Sequence, residues 1–386
     1  MEFTESDEHV MLRASVRQIA ASFGHAYFHE RAVTGGKTEE LWQAVAGPGF
    51  LSVHLPEEHG GGGGGMSELV VVSEELATQG CPLLLVLVSA GISAELVSRF
   101  GTEEQRARWL PGLCTGEKMV FAITEPDAGS NSHNLSTTAK RDGDVYRLRG
   151  TKTFISGVDE APLMVVVTRT GTDPDSGRGR LSLFVVDTDA PGLARTLIPV
   201  EISAPEKQYQ LFFDDVEVPA DRLLGVEGDG LRQVFFGLNP ERILSASLCT
   251  GIGRYALERA SAYANEREVW GVPIGRHQGV AHPLAAAKIE LELARLMMQK
   301  AAWMHDHADD PVAAGEAANM AKYAAAEAGL HCLDAAIQTH GGNGMATEYG
   351  LADLWGLVRL LRIAPVSREM ILNFVAQQSL GLPKSY

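Results

Sequence analysis

The hydrophobic period of this 386-residue chain changes twice, and the two changes divide it into three blocks. Up to about residue 116 apolar residues recur at helical spacing: Leu12, Val16, Ile19, Ala20 and Phe23 fall on one helix face. From about 117 the pattern alternates. Val145–Arg149 follows the turn dipeptide Asp142-Gly143, Lys152–Ser156 continues extended, and Leu163–Thr168, Leu181–Asp187 and Gln210–Val218 read as strands. Beyond Gly228 the chain turns helical again, with Ala-, Leu-, Glu- and Met-rich segments over 241–267, 284–307 and 312–338. The expected fold is mainly α with a β-domain: a helical domain over 1–116, an antiparallel sheet or barrel over 117–228, and a helical bundle over 229–386. Short strands joined by turns without helices between them argue against βαβ units, and no Gly-x-Gly-x-x-Gly follows a strand. The six glycines 60–65 predict a flexible loop, since neither a strand before them nor a Lys-Ser/Thr after them supports a phosphate cradle.

Charge narrows the function. A formal net charge of −16 argues against nucleic-acid partners, which need a basic face. An anionic ligand is still compatible, through local arginines and helix N-termini. The four cysteines, Cys81, Cys114, Cys249 and Cys332, stand far apart in no metal-ligand spacing, so buried thiols are expected and no metal. The acidic start is unlike a targeting peptide, and the most apolar run, 82–94, is too short to span a bilayer. A cytoplasmic protein is expected.

The most informative stretch is Phe121-Ala-Ile-Thr-Glu-Pro-Asp-Ala-Gly-Ser-Asn131, a strand that breaks into a polar turn. Such a turn exposes backbone N–H groups and a hydroxyl, although an ordinary β-turn would look the same. Taken with Lys152-Thr-Phe-Ile-Ser156, it resembles the flavin-binding signature of acyl-CoA dehydrogenases, with Asn131 in place of the usual Asp. The resemblance extends through Phe100–Pro111, through Asn265–Ile274 with His277-Gln278, and through Gln338-Thr-His-Gly-Gly-Asn-Gly344.

The resemblance implies a helix–sheet–helix architecture ending in a four-helix bundle, FAD as cofactor, and a homotetramer. It places Phe121, Ile123, Thr124, Gly129, Ser130, Phe154, Ile155 and Ser156 at the flavin, with Phe154 flat against the ring and Ser156 at its edge. Arg267 matches an arginine that reaches the pyrophosphate of a neighbouring subunit's FAD, and Trp270 an aromatic beside it. Gln278 belongs to the same element. Gln338, Gly341 and Gly342 match an adenosine-contacting turn, and Ser367 keeps a hydroxyl near the cofactor.

The implied reaction removes a proton from the α-carbon of a thioester and passes hydride from the β-carbon to the flavin. It needs a carboxylate base. Counting from Gln338 at the family's spacing puts Pro365 at one base position, which excludes it. The other position lies directly before an arginine on a long helix, as in isovaleryl-type and long-chain members, and Asn239-Pro-Glu-Arg-Ile243 fits it. Glu241 is therefore the candidate base, with Ser130, Asn239 and Arg242 lining the substrate and Glu369 as an alternative carboxylate. A glutamate just after Pro240 is also what a helix N-terminus favours.

Three departures stand out: Pro365 lacks the N–H of the usual loop, Gly356-Leu357 replaces an Arg-Asp pair, and Val366-Ser367 replaces Gly-Thr. The leading expectation is an acyl-CoA dehydrogenase forming a 2-enoyl-CoA and passing electrons to an electron-transfer flavoprotein. A flavin oxidase or monooxygenase, an enzyme of carrier-protein-bound substrates, and an inactive FAD-binding homologue remain open.

Overall fold

A computed structural model describes residues 5–384. The first block is helical: α1 (Asp7–Thr34), α2 (Glu39–Ala46), α3 (Met66–Thr78), α4 (Glu95–Phe100) and α5 (Glu103–Cys114). In α1, Val16 and Ala20 are fully buried while Leu12, Ile19 and Phe23 pack against the core, as their spacing predicts. The start of α5 is fixed by a reciprocal cap, Gln105 N donating to Thr102 Oγ1 (3.3 Å) and Thr102 N to Gln105 Oε1 (3.0 Å). The apolar run before α4 forms a π-helical turn, Val86–Ala94, almost wholly buried.

The glycine tract is not the flexible loop its composition predicts. Gly62 N, Gly63 N and Gly64 N donate to the carbonyls of Ser52, Leu55 and Val53 at 2.9–3.0 Å. A Cβ on Gly61 would overlap the Leu55 carbonyl, and one on Gly62 would lie 2.7 Å from the Val53 carbonyl. Close backbone approach, not mobility, is what requires glycine there.

The middle block is an eight-stranded sheet in the order β6-β7-β3-β2-β4-β5-β8, with β1 also beside β4. The strands are β1 (Met119–Ala122), β2 (Thr138–Asp142), β3 (Val145–Ser156), β4 (Leu163–Thr172), β5 (Gly179–Asp187), β6 (Leu193–Ile198), β7 (Gln208–Pro219) and β8 (Leu223–Leu224). Pairing is mainly antiparallel, but β4 takes β1, and one residue pair of β2, in parallel. Asp142-Gly143 makes the predicted turn, with Asp142 opposite Val145. The two segments expected over 145–149 and 152–156 are one strand, β3, interrupted by irregularities at 148–150 and 152–155. Nothing in the sequence marked the edge strand β6, which is largely exposed and so lacks apolar alternation.

The last block packs three long helices: α6 (Gly230–Glu266), α7 (Gln278–His307) and α8 (Pro311–His340). Pro240 lies inside α6 rather than at its start, so the expected helix N-terminus before Glu241 is corrected. Preceding residues Gln233, Val234 and Gly237 are buried, and packing holds the helix through the proline. The place of a fourth long helix is taken by two short ones, α9 (Trp355–Leu361) and α10 (Arg368–Phe374). Helix α3 lies across α6 and α7. Buried Glu74 ties these elements together, accepting from Arg295 Nε (2.7 Å), Arg13 Nη1 (2.9 Å) and Arg254 Nη1 (3.4 Å). Burial alone would raise its pKa, but the arginines hold it down to about 2.

Candidate active site

Helix α6 runs close against the π-helical turn and α4. A Cβ on Gly237 would lie 2.9 Å from Leu96, and one on Gly91 would meet Leu244. Glu241 sits on the stretch between these two contacts. It is half-buried, its carboxyl surrounded by protein, and no hydrogen bond reaches it from the described residues. Burial pushes its pKa up to about 7, against the opposing charges of Arg242 and Lys322. A carboxylate poised there is matched to proton abstraction near neutral pH.

Next to it, Arg242 is buried, and its Nη1 donates to Asn239 Oδ1 at 2.7 Å. Among the described residues Arg242 Nε has no hydrogen-bond partner. Burial lowers its pKa to about 10 even with Glu241 beside it.

Lys322 on α8 completes this group and was not foreseen. It is 1% exposed, and its Nζ donates to the Val366 carbonyl at 2.6 Å. A signal was present: Ala314, Ala318, Ala321, Ala325 and Gly329 mark a buried small-residue stripe, and Lys322 is the charge within it.

The polar turn after β1 is docked on β3. Buried Lys152 donates to the Ile123 carbonyl (2.9 Å) and to Glu125 Oε1 (2.8 Å), and Thr153 N donates to the Thr124 carbonyl (2.9 Å). Glu125 also accepts from Ser136 N (2.6 Å) and Thr137 N (3.0 Å). Gly129 and Ser130 are left exposed. Phe154 is 58% exposed and held at φ 55°, a left-handed backbone that disfavours a bulky residue. The side chains of Phe121 and Ile155 point into the core and are not presented to a ligand, contrary to their expected place at the flavin. Ser156 Oγ donates to Gln208 Oε1 at 3.0 Å. Phe121 and Ile123 belong to the same hydrophobic cluster as Val234 and Leu238 of α6, which lie about two turns and one turn before Glu241.

A second group of expected cofactor residues lies elsewhere. Exposed Arg267 ends α6, and a two-residue turn between β9 (Glu268–Val269) and β10 (Val272–Pro273) carries Trp270, 88% exposed at φ 53°. Trp270 meets His277 edge-on, and exposed Gln278 opens α7. Gln338, Gly341 and Gly342 are exposed at the end of α8, beside the same end of α6: His340 stacks on Tyr263 at 4.2 Å and Asn343 Nδ2 donates to Tyr263 Oη at 3.1 Å. At 1.5 Å per residue, Arg267 stands roughly 39 Å from Glu241 along α6.

On the late loop, Ser367 Oγ caps α10, accepting from Met370 N at 3.3 Å, and Glu369 is exposed in the first turn. Gly356 lies against the Glu201 carbonyl, 3.1 Å from where a Cβ would be, so a side chain there would press on the 201–202 backbone. The surface hollows formed by Val158, Glu160, Thr188 and Arg195, and by Glu8, Phe50 and Gly61, do not border Glu241. All four cysteines are buried and free, as expected. Among the described residues no helix is long and apolar enough to cross a membrane.

Known proteins resemble this chain in sequence and in fold. Residues 6–117, 120–216 and 228–380 match the N-terminal, middle and C-terminal domain models of acyl-CoA dehydrogenases. Acyl-CoA dehydrogenase FadE12 of Mycobacterium tuberculosis is 54% identical over 385 residues, covering 100% of this chain and 99% of that protein. Butyryl-CoA dehydrogenase from Megasphaera elsdenii superposes with a TM-score of 0.92 at 27% identity, over 98% of this chain and 100% of that one. A glutaryl-CoA dehydrogenase from Mycobacterium smegmatis, solved with FADH2, superposes at 0.90 with 25% identity, over 99% and 96%. Three matched domains in order, a relative identical at more than half its positions, and a superposable fold lead to one conclusion: the chain belongs to the acyl-CoA dehydrogenase family.

Proposed function

We propose that this acyl-CoA dehydrogenase oxidises its substrate to a 2-enoyl-CoA with Glu241 as the base, and passes the electrons to an electron-transfer flavoprotein. The observation that carries the reading is Glu241 itself, a carboxylate with no hydrogen-bond partner among the described residues, raised to about 7 on a helix whose preceding turns share a hydrophobic cluster with Phe121 and Ile123. FAD, when bound, supplies the hydride acceptor. The residues present fit it: an exposed aromatic in a strained backbone at Phe154, and an open turn at Gly129 and Ser130 beside it. Ser156 and Ser367 already hold bonds to Gln208 and the α10 N-terminus, and each hydroxyl oxygen retains capacity for a further bond.

Glu241 removes the α-proton onto its own carboxylate, and Arg242 with Lys322 favours the charged form before transfer. Asn239 fixes the Arg242 guanidinium. Ser130 on the open turn, with Asn239 and Arg242, lines the thioester end. The three blocks, 1–116, 117–228 and 229–386, act as wall, flavin platform and base-bearing bundle.

One chain cannot bring Arg267, Trp270, Gln278, Gln338, Gly341 and Gly342 to the cofactor beside its own Glu241, because the groups are separated by most of α6. They serve a neighbouring subunit's FAD in a homotetramer. An apolar stripe supports association: Ile289, Leu293, Leu296 and Trp303 of α7 are 46–64% exposed at helical spacing.

The test is anaerobic titration of the yellow holoenzyme with a panel of acyl-CoAs. Bleaching with release of the 2-enoyl-CoA, and slow return of colour in air, is the expected result. Rapid reoxidation by air identifies an oxidase, and no bleaching across the panel identifies an inactive homologue.

A further inference from the structure

We propose that Lys322 is a positioning residue of the active site, its buried ammonium both holding the loop at Val366 and supplying the positive charge that faces Glu241 from across the helix pair. The inference rests on Glu241 acting as the base.

A lysine on the buried stripe of α8 is costly unless paired. Lys322 makes no ion pair within 4 Å among the described residues. Among the described residues its one hydrogen bond goes to a neutral carbonyl, Val366, between Pro365 and the Ser367 cap of α10. Nearby Glu327 does not neutralise it at contact, being taken by Arg362 (2.6 Å) and Arg368 (3.2 Å). Cys249 faces Lys322 from α6 but stays a neutral thiol, burial pushing its pKa up to about 12. The charges acting on Lys322 are therefore Glu241 and Arg242 from α6 and Glu327 from α8; those acting on Glu241 are Arg242 and Lys322. Burial lowers Lys322 to about 8, so it remains charged at neutral pH. A side chain kept only for packing would be apolar here, like the alanines around it. An ammonium retained at this cost, touching the loop and facing the carboxylate, has the placement of a functional group.

Two properties then depend on one side chain. Removing the charge leaves Glu241 with its burial and only Arg242 to oppose it, so its proton is held more tightly. Removing the donor frees the Val366 carbonyl and loosens residues 364–367.

The experiment compares wild-type holoenzyme with Lys322→Met, Lys322→Gln and Lys322→Arg. Infrared difference spectra across pH read the Glu241 carboxyl directly, identified by its disappearance in Glu241→Gln. The midpoint is expected near 7 in the wild type, at least about one pH unit higher in the Met and Gln variants, and close to wild type in Lys322→Arg. Flavin reduction should fall about tenfold at pH 7 in the neutral variants and recover toward pH 9, with faster amide exchange over 364–370. An unchanged midpoint, with any rate loss equal at all pH values, would overturn the proposal and leave Lys322 a packing residue. If Lys322→Met fails to fold, the Gln and Arg pair carries the same comparison. A wild-type reduction rate in Glu241→Gln would instead remove the base assignment, an outcome distinct from either Lys322 result.

Discussion

Lys152 and Glu125 form a buried ion pair, 2.8 Å between Nζ and Oε1, that clamps the turn at 123–130 onto strand β3. Both residues lie within the two stretches that resemble the flavin signature, and both are buried, holding in place the exposed Gly129, Ser130 and Phe154. Burial would raise the Glu125 pKa, but the Lys152 charge and hydrogen bonds from Lys152, Ser136 and Thr137 bring it down to about 2. Its folded-state value lies below the ordinary 4.5, so its stabilisation is present above about pH 4.5 and is lost as pH falls through about 2. Glu125→Gln leaves a buried ammonium uncompensated and should cost about 3–5 kcal/mol at pH 7. Denaturant unfolding at pH 7 and below pH 3 checks this: the difference between the two proteins should be large at the first and shrink at the second.

Glu241 acts on stability in the opposite sense. Its folded-state value of about 7 exceeds 4.5, so the folded protein holds that proton more tightly than the unfolded chain does. Its contribution is fully present below about pH 4.5 and is lost as pH rises through about 7. Glu241→Gln should therefore melt higher than wild type at pH 8 and at nearly the same temperature at pH 5. Thermal melts of the two FAD-free proteins at both values decide it.

In the proposed site, Phe154 trades stability for a flavin-binding surface. Its left-handed backbone costs about 1–3 kcal/mol, and over half of the side chain is exposed. Phe154→Gly should leave the FAD-free protein as stable as wild type or more so, while weakening FAD retention at least tenfold. Melting temperature and flavin equilibrium dialysis, measured on the same preparation, separate the two effects.

Assembly and cofactor retention should fail together. Leu293→Asp places a charge in the middle of the exposed α7 stripe and is expected to dissociate the oligomer and release FAD. Arg267→Ala should weaken FAD binding while the oligomer persists. Sedimentation velocity, read at both protein and flavin wavelengths, follows both; a monomer with full FAD occupancy would refute the shared site.

The sequence was most informative where a residue type and its position both matter locally. The period changes told the helical segments from the strands, and Asp142-Gly143 located a hairpin. The Asn239–Arg242 run, set against the family resemblance, is what proposes Glu241. What could not be read depends on distant contacts. Six glycines look mobile until the 52–55 backbone is seen against Gly61 and Gly62. Pro240 reads as a helix start because its tolerance inside α6 comes from packing of Gln233, Val234 and Gly237. The strained backbones of Phe154 and Trp270 leave no trace in residue order, and Lys322 becomes meaningful only once α8 is laid beside α6 and the loop at Val366.

The central claim is that Glu241 takes the α-proton, and rapid-mixing reduction of the bound flavin by acyl-CoA tests it most directly. Glu241→Gln should fold, stay yellow and bind substrate, yet reduce its flavin roughly 10²-fold or more slowly than wild type. Glu369→Gln, altered at the exposed carboxylate on α10, should reduce at the wild-type rate. Near-normal bleaching in Glu241→Gln with loss in Glu369→Gln would move the base to the late loop, and normal rates in both would contradict the account.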